Sequence, residues 1–479
     1  MKRHSTRPAR FARFVEFSVP RLFLVCLPLQ FLLIGSPTLA QNNAVQNATK
    51  GSGTQVENIG TRKQGEDWPV FLGPRGDSTS TEKGIITEWN KGLKVLWTLP
   101  LGESYGIGTV SRGRYFQFDR IKRNAKTTCL NAETGEEIWT YEYETDYRDI
   151  YGYNGGPRCS PIVDDDRVYI YGVEGRLTCL HVVTGEKIWE VEASQKYNVE
   201  QNFFGVGSNP VIYGDLLIVM VGGTAPGQPG DTAKGAGTGI VAFDKFSGKQ
   251  KYAITDQLAS YASLKLARIK NRDWCFAFAR GGLVGFEPAS GKVDFQYPWK
   301  ARILESVNAS VPVVVGSEVF ISETYGPGAS LLDVKPGGYD ITWQDDARVR
   351  EKAFQAHWNT PIHRNGFLYG SSGRHEYNAV LRCIDRKTGK VQWDQPELTR
   401  SSLLYVDGHF ICQCENGVLR LLKVNSERFE HVDAVFLRGE DTTPLLKEPC
   451  WAAPILSHGL LYLRGEDRVI CVELIPVAK

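Results

Sequence analysis

A motif that returns about every 49 residues restricts this chain to a repeat architecture. Each copy has a proline followed by apolar residues, then further apolar strands, a Thr-Gly or Ser-Gly turn, and an aromatic residue four positions after the glycine. The glycine and aromatic pairs are Gly135/Trp139, Gly185/Trp189, Gly248/Tyr252, Gly291/Phe295 and Gly389/Trp393. Self-similarity at a fixed period of this length is typical of folds in which each repeat packs on its neighbours.

The spacing of the opening prolines counts the copies. Pro161 and Pro210 are 49 residues apart, as are Pro312 and Pro361. The intervals that follow Pro210 and Pro361 are about twice as long, so each contains one degenerate copy, and a first copy begins near Gly108. Eight repeats of four short strands predict an all-β fold, an eight-bladed β-propeller.

The two ends of the repeat array complement each other. The last copy ends after the strand around Cys471 without an outer strand, whereas residues 94–98 form an outer strand with no blade before it. We predict that Trp97 completes the eighth blade, because pairing the first strand with the last removes an open sheet edge. The alternative is an open last blade and a free leading strand.

The segment from Ala132 to Trp139 and its sibling copies resemble the tryptophan-docking motif of pyrroloquinoline-quinone (PQQ) type propeller repeats, over nearly all of residues 95–479. The opening from Asp67 to Pro74 is similar to that of exported PQQ-like propeller proteins of planctomycete-type bacteria. The propeller lipoprotein of the β-barrel assembly machinery is similar only at the level of the repeat. The resemblance implies a propeller; in its dehydrogenase members, a quinone and Ca²⁺ occupy the central channel.

The N-terminus resembles an export signal. Several basic residues precede an apolar stretch over residues 22–34, and a small residue, Ala40, ends the segment. We therefore predict a signal peptide over 1–40, a flexible linker over 41–66 and one propeller domain over 67–479. An uncleaved membrane anchor is the alternative, although Pro28 and Gln30 interrupt the apolar run. Export indicates the periplasm or cell envelope.

The charge balance excludes one class of partner. The formal net charge of the whole sequence is +2. The net positive charge of the first 40 residues is larger than that, so the remaining residues carry a small net negative charge. A chain without a basic stripe is not expected to bind nucleic acid. After signal cleavage we expect no transmembrane segment. The expected partners are a protein, or a small-molecule or glycan ligand at the propeller face.

Nine cysteines lie beyond the signal segment, and four of them share one position in the repeat. Cys129, Cys179 and Cys383 each precede the turn glycine by six residues, and Cys471 lies in the matching strand. A shared position indicates buried thiols in the core rather than disulfides. No spacing resembles a set of four zinc ligands, so we predict no metal site.

The segments that enter the innermost strands of a propeller gather at one mouth of the channel. Here they carry polar and aromatic residues, which suit a ligand pocket but also a water-filled channel. The candidate channel residues are Tyr105, Arg158, Asn209, Asn308, Glu323, His357, Trp358, Asn359 and Trp451. A second candidate is a loop that carries Arg374, His375 and Glu376.

The catalytic pattern of the quinone dehydrogenases is not found in this sequence. It has no adjacent cysteine pair, and Glu323 is the nearest candidate for a carboxylate ligand. We therefore expect an exported binding or scaffold propeller without catalysis of its own. One alternative is a PQQ- and Ca²⁺-dependent periplasmic dehydrogenase that oxidises alcohols or sugars. A polysaccharide-binding accessory protein is another.

Overall fold

The computed structural model describes residues 56–200, 203–227, 233–303, 307–439 and 441–477. This part of the chain folds into eight four-stranded antiparallel sheets. Its only helical segments are the helix α1 at Ala193–Lys196 and a short 3₁₀ turn at Glu376–Asn378. The prediction of an eight-bladed, all-β propeller is confirmed.

The first four blades each contain four strands that are consecutive in sequence and in space. Blade 1 holds strands β2–β5, blade 2 holds β6–β9, blade 3 holds β10–β13 and blade 4 holds β14–β17. Their bounds are, in chain order, Thr109–Ser111, Arg114–Ile121, Asn124–Asn131 and Glu137–Glu144; Ile162–Asp164, Arg167–Tyr171, Arg176–His181 and Lys187–Glu192; Val211–Tyr213, Leu216–Met220, Ile240–Asp244 and Gln250–Ile254; Lys265–Ile269, Arg272–Ala279, Gly282–Phe286 and Val293–Pro298.

Blades 5 to 7 follow the same order with strands β18–β29, and blade 8 combines β30–β32 with the first strand of the chain, β1. Their bounds are, in chain order, Val313–Val315, Glu318–Glu323, Gly328–Lys335 and Gly338–Gln344; Ile362–Arg364, Phe367–Ser372, Val380–Asp385 and Val391–Gln395; Ser401–Val406, His409–Cys414, Leu419–Lys423 and His431–Val435; Ile455–Ser457, Leu460–Arg464, Arg468–Glu473 and, for β1, Lys94–Pro100.

The N-terminal strand closes the ring, as the sequence predicts. Strand β1 pairs antiparallel with β32, and Trp97 lies opposite Cys471. The first strands of neighbouring blades contact one another, for instance β2 with β6 and β18 with β22. These contacts place the first strand of each blade next to the channel and the fourth strand at the outside.

The docking motif joins each blade to the next through an aromatic ring and a turn. The indole N–H of Trp97 donates to the carbonyl of Ala132 at 3.0 Å, and its ring covers Gly135 in blade 1. Gly135 has a φ of +77°, and a Cβ there would lie 2.6 Å from the Trp97 ring, so the turn requires glycine. The same contact joins Trp139 to Gly185 and Trp189 to Gly248.

The cysteine position shared by the repeats lies directly opposite the docking aromatic. Cys129 pairs with Trp139, and Cys179 pairs with Trp189, across the third and fourth strands. All nine cysteines within the described residues are free and buried. The predicted location of these thiols in the core is confirmed, and the physical reason is that a large ring leaves room only for a small neighbour.

The core lies between adjacent blades. Phe116 and Trp139 of blade 1 pack with Val168 and Leu180 of blade 2 in one buried cluster. Each sheet therefore buries both faces only when its neighbours are present. None of the helices in the described ranges has the length and apolar character that crossing a membrane requires.

The polypeptide contacts the propeller before the predicted domain start at residue 67. The backbone N–H of Ile59 donates to Arg112, the side chain of Arg62 pairs with Glu473, and that of Thr61 donates to Glu133. The structure thus differs from the predicted linker over residues 59–66, because a few polar side chains there find specific partners on blades 1 and 8. Residues 41–55 of that linker and the predicted signal peptide lie outside the described residues.

An ion pair at this N-terminal segment makes stability depend on pH. His458 Nε2 lies 3.0 Å from Asp67 Oδ1, and the hydrogen bond to Asp67 raises the pKa of His458 above its ordinary 6.5. Because the pKa of His458 is higher in the folded than in the unfolded protein, the pairing stabilises the folded state fully at pH values below the unfolded-state pKa. This contribution is lost as the pH rises through the folded-state pKa. We expect the melting temperature of the wild type to exceed that of His458→Gln by more at pH 6 than at pH 9. An equal difference at both pH values would contradict the pairing.

Candidate functional site

A cavity of about 620 Å³ lies at one mouth of the channel. Its wall comes mainly from the segments that precede the first strands of the blades and from the turns between second and third strands, and Phe71, Leu72 and Ser78 of the N-terminal segment also contribute. In a four-stranded antiparallel blade both kinds of connection fall at the same end. The predicted channel residues that line it are Tyr105, Arg158, Asn209, His357, Trp358, Asn359 and Trp451.

The second predicted candidate, the loop after β23, contributes to the same cavity as the candidate channel residues. Arg374 and His375 belong to the lining, whereas Glu376 does not. Asn308 and Glu323 also lie outside the lining, and both are buried. The amide of Asn308 donates to the carbonyls of Ala279 at 2.7 Å and Trp299 at 3.2 Å, a structural contact. Whether the lining residues bind a ligand stays a prediction.

Several lining residues were not predicted. The aromatic ones are Phe71, Tyr151, Phe203, Phe204 and Tyr261, and the charged one is Arg400. Arg400 directly precedes β26, the first strand of blade 7, so alignment of that degenerate repeat with the others would have found it. Tyr325 lies in the turn between β19 and β20, which shares an end of the blade with the entering segments.

One wall of the cavity is a continuous series of rings, the aromatic row, made of Tyr105, Trp451, Trp358, His357 and Tyr325. Successive ring centroids lie 4.8, 4.8, 4.8 and 5.6 Å apart. The indole N–H of Trp358 donates to the carbonyl of Trp451 at 3.1 Å, and the hydroxyl of Tyr325 lies 3.1 Å from His357 Nε2. These contacts hold the rings in a fixed arrangement that offers apolar faces to a ligand.

Two of the arginines in the wall are occupied by protein acceptors. Arg158 pairs with Asp149 at 2.9 Å and donates to two backbone carbonyls. Arg400 forms a bidentate pair with Glu415, donates to the carbonyl of Arg374, and stacks 4.5 Å from the Trp358 ring. Both carboxylates are buried behind the arginines, and neither lines the cavity. These pairs fix the cavity wall.

Arg374 differs from the other two arginines. Its guanidinium stacks on the Tyr325 ring at 4.5 Å, and within the described residues it has no carboxylate or carbonyl partner. The group is half-buried and belongs to the cavity lining. A guanidinium offers five N–H donors in a planar fork, so the donors of Arg374 are available to a ligand.

The electrostatic environment of the cavity is positive. The lining contains no aspartate or glutamate. Burial lowers the pKa of His357 to about 3, and Arg400 and Arg374 contribute to the shift, so the imidazole is neutral at neutral pH. His357 Nδ1 is buried and has no hydrogen-bond partner within the described residues. Such an orphaned polar atom costs about 1–3 kcal/mol unless a further group satisfies it.

The donor set does not fit a calcium-bound quinone. Ca²⁺ takes six to eight oxygen ligands, among which carboxylates are usual. The lining has no carboxylate, and the described ranges contain no group of three or more His, Cys, Asp or Glu placed to hold a metal ion. Glu323, the sequence candidate for a carboxylate ligand, lies outside the cavity. The cavity therefore suits organic ligands that need no metal.

Comparison with solved structures finds the same fold in proteins of different kinds. Quinohemoprotein alcohol dehydrogenase from Comamonas testosteroni is 12% identical, covers 86% of this chain and 81% of its own, and gives a TM-score of 0.59. The computationally designed Ika8 protein is 9% identical, with 80% and 100% coverage and a TM-score of 0.50. BamB from Moraxella catarrhalis is 14% identical, with 81% and 99% coverage and a TM-score of 0.49. At these identities the likeness to the first two shows the fold alone.

Sequence comparison identifies the family. No curated protein matches the chain. The family model described as outer membrane protein assembly factor BamB matches residues 82–228 and 163–395. These overlapping matches cover well over half of the sequence and the repeats from blade 1 to blade 6. The chain therefore belongs to this family of PQQ-like β-propeller repeat proteins.

Proposed function

We propose that this protein is an exported binding propeller of the periplasm or cell envelope, which accepts a ligand in its central cavity and does not convert it. The observation that carries the proposal is the composition of the cavity wall: an aromatic row, three arginines and no carboxylate. Rings and a few polar donors around a concave space of this size are typical of ligand sites.

The absence of carboxylates from the lining separates this proposal from a dehydrogenase. Oxidation of an alcohol by a quinone requires a base within hydrogen-bond reach of the substrate hydroxyl. Two buried carboxylates behind the wall, Asp149 and Glu415, are each engaged by an arginine. His357 is neutral at neutral pH, but burial, and next the charges of Arg400 and Arg374, lower its pKa and disfavour its protonation. The wall therefore binds and orients better than it moves protons.

A protein partner at the same face is a second candidate. The family model is described as an assembly factor. Ile150, Tyr151 and Tyr153, in the loop between blades 1 and 2, are 61%, 49% and 71% exposed. Exposed apolar groups beside a cavity suit a protein contact. Such a partner would cover the mouth, and the scaffold and ligand-binding interpretations are compatible.

We expect purified protein to show no Ca²⁺-dependent binding of PQQ and no dye-linked oxidation of alcohols or sugars. Isothermal titration calorimetry with PQQ, with and without Ca²⁺, measures the first, and dye reduction over an alcohol and sugar panel measures the second. A known quinoprotein dehydrogenase serves as the positive control. Micromolar or tighter PQQ binding that requires Ca²⁺ would replace the binding function by the dehydrogenase alternative.

A further inference from the structure

We infer that the central cavity selects an organic anion that contains a ring, whose carboxylate, sulfonate or sulfate is bound by Arg374 while the ring lies on the aromatic row. The inference rests on the proposed binding function and names its ligand class. Aromatic acids and acidic sugars share this chemistry.

The three arginines of the wall divide into two roles. Arg158 and Arg400 each direct their N–H groups at protein acceptors, a carboxylate and backbone carbonyls in both cases. Arg374 contacts the face of Tyr325 but has no such acceptor among the described residues. Because no protein acceptor in the described structure engages its N–H groups, Arg374 has a planar fork of donors available, which matches a carboxylate or sulfonate.

The charges around the cavity favour an anion over a neutral or cationic ligand. Asp149 forms an ion pair with Arg158, and Glu415 with Arg400, whereas Arg374 has no carboxylate at ion-pair distance in the described structure. The neighbouring His357 adds no charge at neutral pH. A ligand with a negative charge would neutralise the positive charge of Arg374. The attraction is effective because water only partly screens charges inside the cavity.

The rest of the cavity accommodates a ring. The aromatic row extends from Tyr105 to Tyr325 without a gap wider than 5.6 Å between ring centroids. Its indole and phenol faces stack on aromatic rings and on the apolar face of a sugar alike. A volume of about 620 Å³ exceeds that of a single ring, so the site has room for a ligand of two or three rings.

Two matched pairs of probes separate charge from shape. The first is 8-anilinonaphthalene-1-sulfonate and uncharged N-phenyl-1-naphthylamine, followed by fluorescence. The second is cellobiouronic acid and uncharged cellobiose, followed by calorimetry. We expect the anionic member of at least one pair to bind the wild type at least ~10-fold more tightly than its neutral partner. The pair that shows the preference distinguishes an aromatic acid from an acidic sugar.

Arg374→Gln is expected to weaken binding of the anion by about 10- to 100-fold and to leave binding of the neutral probe unchanged. Arg350→Gln removes the same charge from an exposed position outside the cavity and should change neither. Circular dichroism and the melting temperature confirm that both variants fold. On the wild-type protein, added NaCl should weaken binding of the anionic probe more than binding of the neutral probe, which tests the charge contribution without any variant.

The outcomes separate the two proposals. Equal affinity for the anionic and neutral members of both pairs, or an anion preference that Arg374→Gln leaves intact, overturns the inference and leaves a binding cavity in place. If none of the four probes binds and the fluorescence of the cavity tryptophans does not respond, the inference and the binding function both fail.

Discussion

Replacing Trp97 by alanine is expected to lower the free energy of unfolding by about 3–5 kcal/mol, the usual effect of truncating a buried tryptophan. Trp97 packs on Tyr115 and Tyr462 with ring centroids 5.5 and 5.8 Å away and covers Gly135. Its loss therefore empties the interface between blade 8 and blade 1, where the ring closes. Chemical denaturation followed by fluorescence measures the change.

Two variants separate the contributions of the indole. Trp97→Phe keeps a ring over Gly135 but loses the hydrogen bond to the carbonyl of Ala132, so we expect a smaller loss, of which the hydrogen bond accounts for about 1 kcal/mol. Trp139→Ala empties the equivalent site between blades 1 and 2, away from the closure. If Trp97→Ala were as stable as the wild type, β1 would not close the ring.

Replacing Glu415 by alanine is expected to destabilise the protein by about 3–5 kcal/mol, because it leaves the guanidinium of Arg400 without its counter-charge. The side chain of Glu415 is 3% exposed, forms a bidentate pair with Arg400 and accepts from the indole N–H of Trp451 at 2.5 Å. The same substitution should loosen the aromatic row, since Arg400 stacks on Trp358. Thermal unfolding and tryptophan fluorescence report the two effects.

Matched variants test the attribution to a buried charge. Glu415→Gln keeps the volume and one acceptor, so it should destabilise less than alanine. Asp340→Ala breaks an ion pair with Lys335 in which both side chains are more than half exposed, and we expect a change of about 0–1 kcal/mol. If Glu415→Ala lost no more stability than Asp340→Ala, water would be solvating the charge of Arg400 in place of Glu415.

Part of the cavity lining could be placed from the sequence for a topological reason. Residues that enter the first strands, such as Tyr105 and Trp451, could be placed at one mouth because the repeat fixes where each blade begins. Asn308 lies in the corresponding segment before β18, yet its amide turns to the carbonyls of Ala279 and Trp299. The direction of a side chain depends on acceptors that are distant in sequence, and periodicity carries no information about them.

Local pattern alone determined the number of blades, the closing strand, the glycine turns and the buried thiols. The blade count follows from the spacing between copies and the closing strand from the two ends of the array. The turns and thiols follow from positions within one repeat, such as Cys129 ten positions before Trp139. Only the tertiary structure decided which charges are balanced. Asp149 engages Arg158 and Glu415 engages Arg400, whereas Arg374 stacks on Tyr325 from the neighbouring blade. Ion pairing is a matter of a few ångströms between side chains on different loops, and only the closed ring brings those loops together.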